Sequence, residues 1–508
     1  MDKRNVMFWS MALLLTAASE LNADDWQQAS GPNGNFVVAG EAPDQFSVFQ
    51  NENVLWRTPL PSTGQGTVIV CGGKAFVTSH EEIAEDTEMG RDILGMCFDA
   101  HTGKELWRKT VAGTRVTDLS SLFSDNTAAS PVADKSRVCF VNVGGQICCF
   151  DHEGQELWSY DWVPFGRHHA RLHEPILHDG KVITVQYPKQ DLELEHTTKP
   201  GAKLLGRDRK YWTRLQAFDL KTGKRKWISD AGTSIHQTST IGNTKRPAIL
   251  TGRGGGHQPP EEPYGLSFID ASDGREIWET AIKGYPSAQN ACWNTNHAFA
   301  LTHKEHLKLD LKDGTVLNRI SLLKDVSLTR HDGASWVREA VANLPNAKQG
   351  FTKNSNVLVG DYHYFRSASR YLIGRVHVGT GKVEYLQVPV QVVVESRGER
   401  TWLWEKPIKN DMKNANGFVA SQDRRNAGDG WGHVSAASPI VVGDKIYLPT
   451  MLGVVYVLRW NAELLDEQAL LSVSDLGPAG ETWTLASLSY ARGRLYARTL
   501  KELICIGN

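Results

Sequence analysis

One phrase returns along this chain, and a chain built on a returning phrase must stack its units to bury a core. Cys97-Phe98-Asp99-Ala100-His101-Thr102-Gly103-Lys104-Glu105-Leu106-Trp107 is the first copy. Cys149-Phe150-Asp151 to Gly154 and Trp158 is the second, one residue shorter. Ala217-Phe218-Asp219 to Thr222-Gly223-Lys224 and Trp227 is the third, and Phe268-Ile269-Asp270 to Asp273-Gly274-Arg275 and Trp278 the fourth. Lys308-Leu309-Asp310 to Asp313-Gly314 keeps the turn and loses the Trp. Arg375-Val376-His377 to Thr380-Gly381-Lys382 is more degraded.

Each phrase reads as a β-hairpin. A short apolar strand ends at Asp, whose carboxylate accepts backbone N–H groups two or three residues on. Thr-Gly or Asp-Gly supplies a residue with positive φ at little steric cost. The returning strand ends at Trp, whose size suits it to wedge between one sheet and the next. A second hairpin pattern precedes the phrase, as in Thr67-Val68-Ile69-Val70, Gly72-Gly73, Lys74 to Thr78, and again in Ser438 to Val442, Gly443-Asp444, Lys445 to Leu448. Two hairpins make a four-stranded unit, and the turn chemistry excludes a helical solenoid. Four-stranded blades around an axis fit.

Starts of the first hairpin fall near Thr67, Ser130, Glu174, Thr238, Asn290, Asn354, Ser438 and Leu485, which counts eight blades; seven is the alternative count. The last unit stops at Leu503 to Ile506 without a closing Trp, whereas Asn53-Val54-Leu55-Trp56-Arg57 is a Trp-ended strand with no blade before it. The expectation is an all-β, eight-bladed propeller in which this N-terminal strand completes the last blade and removes an open edge. Trp56, Trp107, Trp158, Trp227 and Trp278 are the expected docking residues between blades. Insertions interrupt the rhythm near 189–211, 325–350 and 391–432. Within the second, Asp332 to Leu344 has a cap and apolar spacing consistent with a short helix.

The first residues read as an address. Lys3 and Arg4 precede the apolar run Val6 to Ala18, and Leu21-Asn22-Ala23 is followed by Asp24-Asp25. This is the layout of a signal peptide over 1–23, cleaved after Ala23, which leaves 24–508 as one domain and sends it to the periplasm or the outside of the cell. An uncleaved anchor is the competing reading, but the run is shorter than the ~20 residues a spanning helix needs. Lys+Arg 56 against Asp+Glu 57 leaves a net charge of -1, so nothing draws the chain to nucleic acid. The seven cysteines, Cys71, Cys97, Cys139, Cys148, Cys149, Cys292 and Cys505, form no C-x-x-C and lie mostly in apolar strands, where a thiol behaves as a small buried hydrophobe.

The phrase, together with Asp25-Trp26, Gly31-Pro32-Asn33-Gly34 and Asn53 to Leu60, resembles the repeat of PQQ-like (quinoprotein-type) eight-bladed β-propellers of the secreted bacterial type. The resemblance implies the fold over nearly the whole chain after the signal. It does not select one activity, because the superfamily holds quinone-dependent dehydrogenases and a non-catalytic scaffold of the outer-membrane assembly machinery. The enzyme reading implies PQQ with Ca²⁺ held by Glu and Asn, an Asp base, and often a disulfide between adjacent cysteines. Cys148-Cys149 is adjacent, but its place on a strand puts the two side chains on opposite faces. No Glu, Asn and Asp are assignable to the other roles by motif, and the haem signature C-x-x-C-H is absent.

His168 and His169, His236, and His433 each stand in the connection leading into a blade, and Asn290 and Trp483 stand at similar places. In a propeller these connections surround the central funnel on one face. The six residues would converge there as a ligand or metal pocket; the competing reading is loop histidines bonded to backbone or water. The leading expectation is a monomeric binding scaffold for a protein partner or small ligand, with catalytic residues none. A quinone- or metal-dependent oxidoreductase, and a carbohydrate-binding propeller using exposed Trp and His, are the alternatives.

Overall fold

The structure is a computed structural model, and it describes residues 25–82, 91–115, 126–163, 174–186, 213–234, 239–243, 246–255, 261–285, 290–345, 356–367, 371–395, 397–415, 417–419, 422, 430–431 and 437–508. Eight four-stranded antiparallel sheets form a ring. Blade one runs from Ile69–Cys71 to Glu105–Val111 and blade two from Val132–Ala133 to Glu156–Asp161. Blades three, four and five follow, ending at Arg225–Ile228, Glu276–Ala281 and Val316–Ser321. Blade six spans Asn356–Val359 to Val383–Gln387, and blade seven Ile440–Val442 to Leu470–Asp475. Blade eight takes three strands from the C-terminus, Ser489–Ala491, Arg494–Arg498 and Glu502–Ile506, and its outermost strand, Val54–Pro59, from near the N-terminus. The ring is closed as the Trp-ended strand at 53–57 leads one to expect.

The repeated phrase is the C-D hairpin of each blade. In blade one, Asp99 Oδ1 accepts from the N–H groups of His101 and Thr102 and from the Thr102 hydroxyl. Burial works against that carboxylate, but these bonds outweigh it and hold its pKa below the ordinary value. Gly103 follows at φ +72, and a Cβ there would lie 2.5 Å from the Trp56 ring of the neighbouring blade. Trp56 donates Nε1 to the carbonyl of Ala100, the residue after the Asp. Trp107 does the same to His152, Trp158 to Leu220 and Trp278 to Leu311. In the degraded sixth copy His377 stands in for Asp, its Nδ1 accepting from Gly379 and Thr380.

The insertion at 325–350 departs from expectation. Asp332 caps a turn, accepting from Ala334 and Ser335 N–H, and the flanks are strands, Val326–His331 and Trp336–Ala342, not a helix. The first of these pairs in parallel with the outer strand of blade six, Ser327 opposite Glu384, so ladder bonds satisfy a backbone that a short helix would leave half unpaired. A second added hairpin, Gln391–Val394 with Arg400–Leu403, opens the last insertion. The insertion near 189–211 lies outside the described residues.

Before it reaches blade eight, the N-terminal segment crosses the axis. Trp26 pairs with Val70 of blade one, the carbonyl of Gln27 accepts from Ala133 of blade two, and Gln28 Oε1 accepts from Leu177 of blade three. Gly34 then accepts from Ile241 of blade four, and Val37–Val38 pairs in parallel with the innermost strand of blade seven. Trp26 and Phe36 are buried there. All these contacts lie toward the ends of the inner strands that carry the A-B turns, so the segment closes the axis on the turn face.

Candidate functional site

Strand direction assigns the faces. Each inner strand runs from its leading connection to the A-B turn, so those connections gather on the face opposite the crossing segment. The crossing segment therefore lies at one end of the axis and the leading connections at the other. His168, His169, His236 and His433 lie outside the described residues. Asn290 and Trp483 are described, and both are buried.

Asn290 is turned into the joint between blades five and six. Its Nδ2 donates to the carbonyl of Asn356 at 2.8 Å, and Asn356 Nδ2 donates back to the carbonyl and Oδ1 of Asn290 at 3.0 and 2.8 Å. With its amide nitrogen so used, Asn356 Oδ1 accepts from the Cys292 thiol and from His363 Nε2 at 3.0 Å. His363 then carries its proton on Nε2, and its bare Nδ1 accepts from His306 Nε2, also at 3.0 Å. Burial keeps both imidazoles neutral, with His306 depressed to about 3. This chain runs from the axial end of the joint into the sheet, and it uses the polar groups of Asn290 structurally.

Similar bonds join other blades at this level. Ser438 N–H donates to Ser487 Oγ, Ser487 N–H to Thr67 Oγ1, and Thr67 N–H to Ser130 Oγ. Thr240 Oγ1 donates to the carbonyl of Ala291. Small hydroxyl and amide side chains suit the narrow centre of a ring because they bond across it without filling it. Trp483 packs fully within the core beside this belt, and its Nε1 has no hydrogen-bond partner among the described residues.

Glu174, the residue leading into blade three, is the exception in charge. Burial alone pushes its carboxyl up to about 8, and its Oε2 has no partner among the described residues. Among those residues no group of three or more His, Cys, Asp and Glu is placed to hold a metal ion.

Asn290 and Trp483, the two expected site residues that are described, do not fit a quinone with calcium. Asn290 spends its amide on Asn356 and Trp483 is fully buried, so neither offers an accessible group to that cofactor. Cys148 and Cys149 are free thiols on the regular strand Gln146–Asp151. Cys148 packs in the cluster holding Phe140 and Phe150, and Cys149 in the one holding Cys139 and Val182, on the other face of the sheet.

Reading the sequence missed the His306–His363 pair and Glu174. Neither stands in a motif. His306 and His363 fall on different blades 57 residues apart, and only the strand registers bring them together.

Among solved structures, quinohemoprotein alcohol dehydrogenase from Comamonas testosteroni is similar over 97% of this chain and 82% of its own, at 12% identity and a TM-score of 0.53. The quinohemoprotein alcohol dehydrogenase ADHIIG from Pseudomonas putida HK5 covers 95% and 80% at 11% identity, with a TM-score of 0.49. BamB from Moraxella catarrhalis covers 77% of this chain and 99% of its own at 13% identity, with a TM-score of 0.33. At such identities the likeness is one of fold. No curated protein sequence matches the chain. A family model matches residues 97–383, more than half of the 508, and its span begins at the first copy of the phrase and closes just after the last. The chain belongs to that family, which is described as outer membrane protein assembly factor BamB.

Proposed function

We propose that this chain is an exported, monomeric scaffold that binds a protein partner, or a small ligand, on the face where the chain leads into its blades. The observation that carries the reading is the N-terminal segment across the axis. It bonds to inner strands of blades one, two, three, four and seven on the turn face, which supports a binding role for the opposite face. The family description, an assembly factor, supports a protein partner. Docking of Trp56, Trp107, Trp158, Trp227 and Trp278 on the next blade would give that face a rigid base. His168, His169, His236 and His433 are its candidate contacts. Residues 1–23 act as the export signal. Among the described residues no helix is long and apolar enough to cross a membrane.

The test is site-specific photo-crosslinking in the cell envelope of the source organism, with the reactive group at 168 or 433 and, on the turn face, at 73. Protein adducts from 168 and 433 but not from 73 are expected. In parallel, the purified protein is titrated with pyrroloquinoline quinone and Ca²⁺, following the quinone absorbance. Saturable quinone binding that is lost on H168A and H433A would replace the scaffold with the oxidoreductase reading.

A further inference from the structure

The two hairpins added outside the repeat form a cleft of about 710 Å³ on the rim of blade six, away from the axis. That size falls within the range of about 300–1,000 Å³ that small-ligand sites occupy. Arg330, His331, Asp332 and Gly333 come from the tip of the first hairpin, Trp402 to Lys406 from the end of the second, and Gln387 from the blade itself. The repeat explains none of these residues. The ring closes without them, and neither hairpin is one of the four strands of a blade.

Four rings meet at the cleft. His331 stacks on Trp404 with centroids 4.5 Å apart and planes 6° from parallel. Trp336 stands edge-on to both, and Trp402 edge-on to Trp404. Trp402 is 39% exposed, a large apolar plane that no packing demand explains. Around the rings are polar groups of both kinds. Gln387 Oε1 accepts from the N–H of His331, which leaves its amide nitrogen as a donor in the lining of the cleft. Arg330 is held by Glu339 of the same hairpin at 2.9 Å, which fixes its guanidinium without burying it. The Glu405 carboxylate and Lys406 ammonium are engaged by no other described residue. The charges of Arg330, Asp332, Glu405 and Lys406 cancel.

This chemistry selects among ligands. A cleft with no net charge does not hold a phosphorylated or polyanionic molecule. A proline-rich peptide needs aromatic grooves and a few donors, not acids and bases side by side. A sugar ring presents an apolar C–H face to an aromatic plane, and hydroxyls that both donate and accept around its edge. Carboxylate, amide and ammonium groups beside the exposed indole of Trp402 meet both demands at once. We infer that this cleft is a saccharide-binding site, with Trp402 as the stacking platform, Trp404 buttressing it edge-on, and Glu405, Lys406 and Gln387 as the hydroxyl contacts, and that it takes a short uncharged oligosaccharide. The inference goes beyond the scaffold reading and does not rest on it.

The full chain is screened on a glycan array of hexose, N-acetylhexosamine, pentose and uronate oligomers, and the best neutral binder is titrated by calorimetry. Saturable binding with a Kd below about 1 mM is expected. W402A and E405Q should each weaken it at least about tenfold. V341A, on the first hairpin and outside the cleft, should leave it unchanged. Because Trp402 is exposed, W402A should melt as the parent does, and that measurement separates lost binding from lost fold. An array on which no neutral glycan binds overturns the inference. So does glycan binding that W402A and E405Q leave intact, or a proline-rich peptide that occupies the cleft and that no glycan displaces.

Discussion

Trp278 donates Nε1 to the carbonyl of Leu311 at 2.8 Å, and its ring covers the turn glycine Gly314 so closely that a Cβ there would stand 2.6 Å from it. The contact joins blade four to blade five through one side chain and one missing side chain. It predicts that Trp278→Ala, which empties a nearly fully buried site, costs about 3–5 kcal/mol. Trp278→Phe keeps most of the packing and gives up the bond, at about 1 kcal/mol. Gly314→Ala costs about 1–3 kcal/mol, because φ is +73 and the ring occupies the space a methyl group needs. Urea unfolding of the three variants checks the ranking.

Two buried groups give stability opposite pH dependences. Glu174 has a folded value of about 8 against 4.5 ordinarily, so between those values the folded chain holds a proton that the unfolded chain releases, and stability falls as pH rises through the window. His306 lies at about 3 against 6.5, so the unfolded chain takes the extra proton, and stability falls as pH drops through that window; His363 is lowered in the same direction. Each group contributes a slope of at most about 1.4 kcal/mol per pH unit. Glu174→Gln should flatten the alkaline arm and leave the acid arm in place, read from denaturant midpoints across both windows. An unchanged alkaline arm would remove Glu174 as its source.

The thiols should be silent until the chain unfolds. Burial pushes Cys71, Cys97, Cys292 and Cys505 up to about 12, and Cys139 and Cys148 in the same direction, so none of these six is a thiolate at neutral pH. A thiol reagent is expected to label none of them in the native protein and all seven in denaturant. Five labelled thiols instead of seven would indicate a disulfide.

Fold and site were not equally legible in the sequence. Asp99, Gly103 and Trp107 recur because each performs a local task, capping a turn, supplying positive φ and crossing to the next sheet, and local tasks leave a spacing. The closing strand at Val54–Pro59 was readable by the same logic, as a Trp-ended strand that lacked a blade. The hairpin at 326–342 was not. Its apolar residues suit a helix as well as a strand, and its partner, Glu384, stands 57 residues from Ser327. Asn290 was singled out by its place in the blade, but which way its amide turns depends on Asn356 of the next blade, which no local pattern reports. The rim cleft carried a signal that the repeat masked. Trp402 and Trp404 are tryptophans with no turn glycine to cover.

The crossing segment makes a prediction that separates closing the axis from closing the ring. Trp26 is fully buried, its Nε1 donates to the carbonyl of Ala29, and the Gly31 turn folds against its ring. Trp26→Ala should therefore cost about 3–5 kcal/mol while leaving Val54–Pro59 paired with Glu502–Ile506. A chain begun at 61 lacks that strand as well, and blade eight then ends on the bare edge of Glu502–Ile506, whose Leu503, Ile504 and Ile506 are buried in the intact protein. An unpaired apolar edge recruits another chain. In light scattering after size exclusion, Trp26→Ala is expected to stay monomeric with a lowered denaturant midpoint, and the chain begun at 61 to self-associate. Equal behaviour of the two would mean that the segment across the axis, and not the outer strand, holds the ring closed.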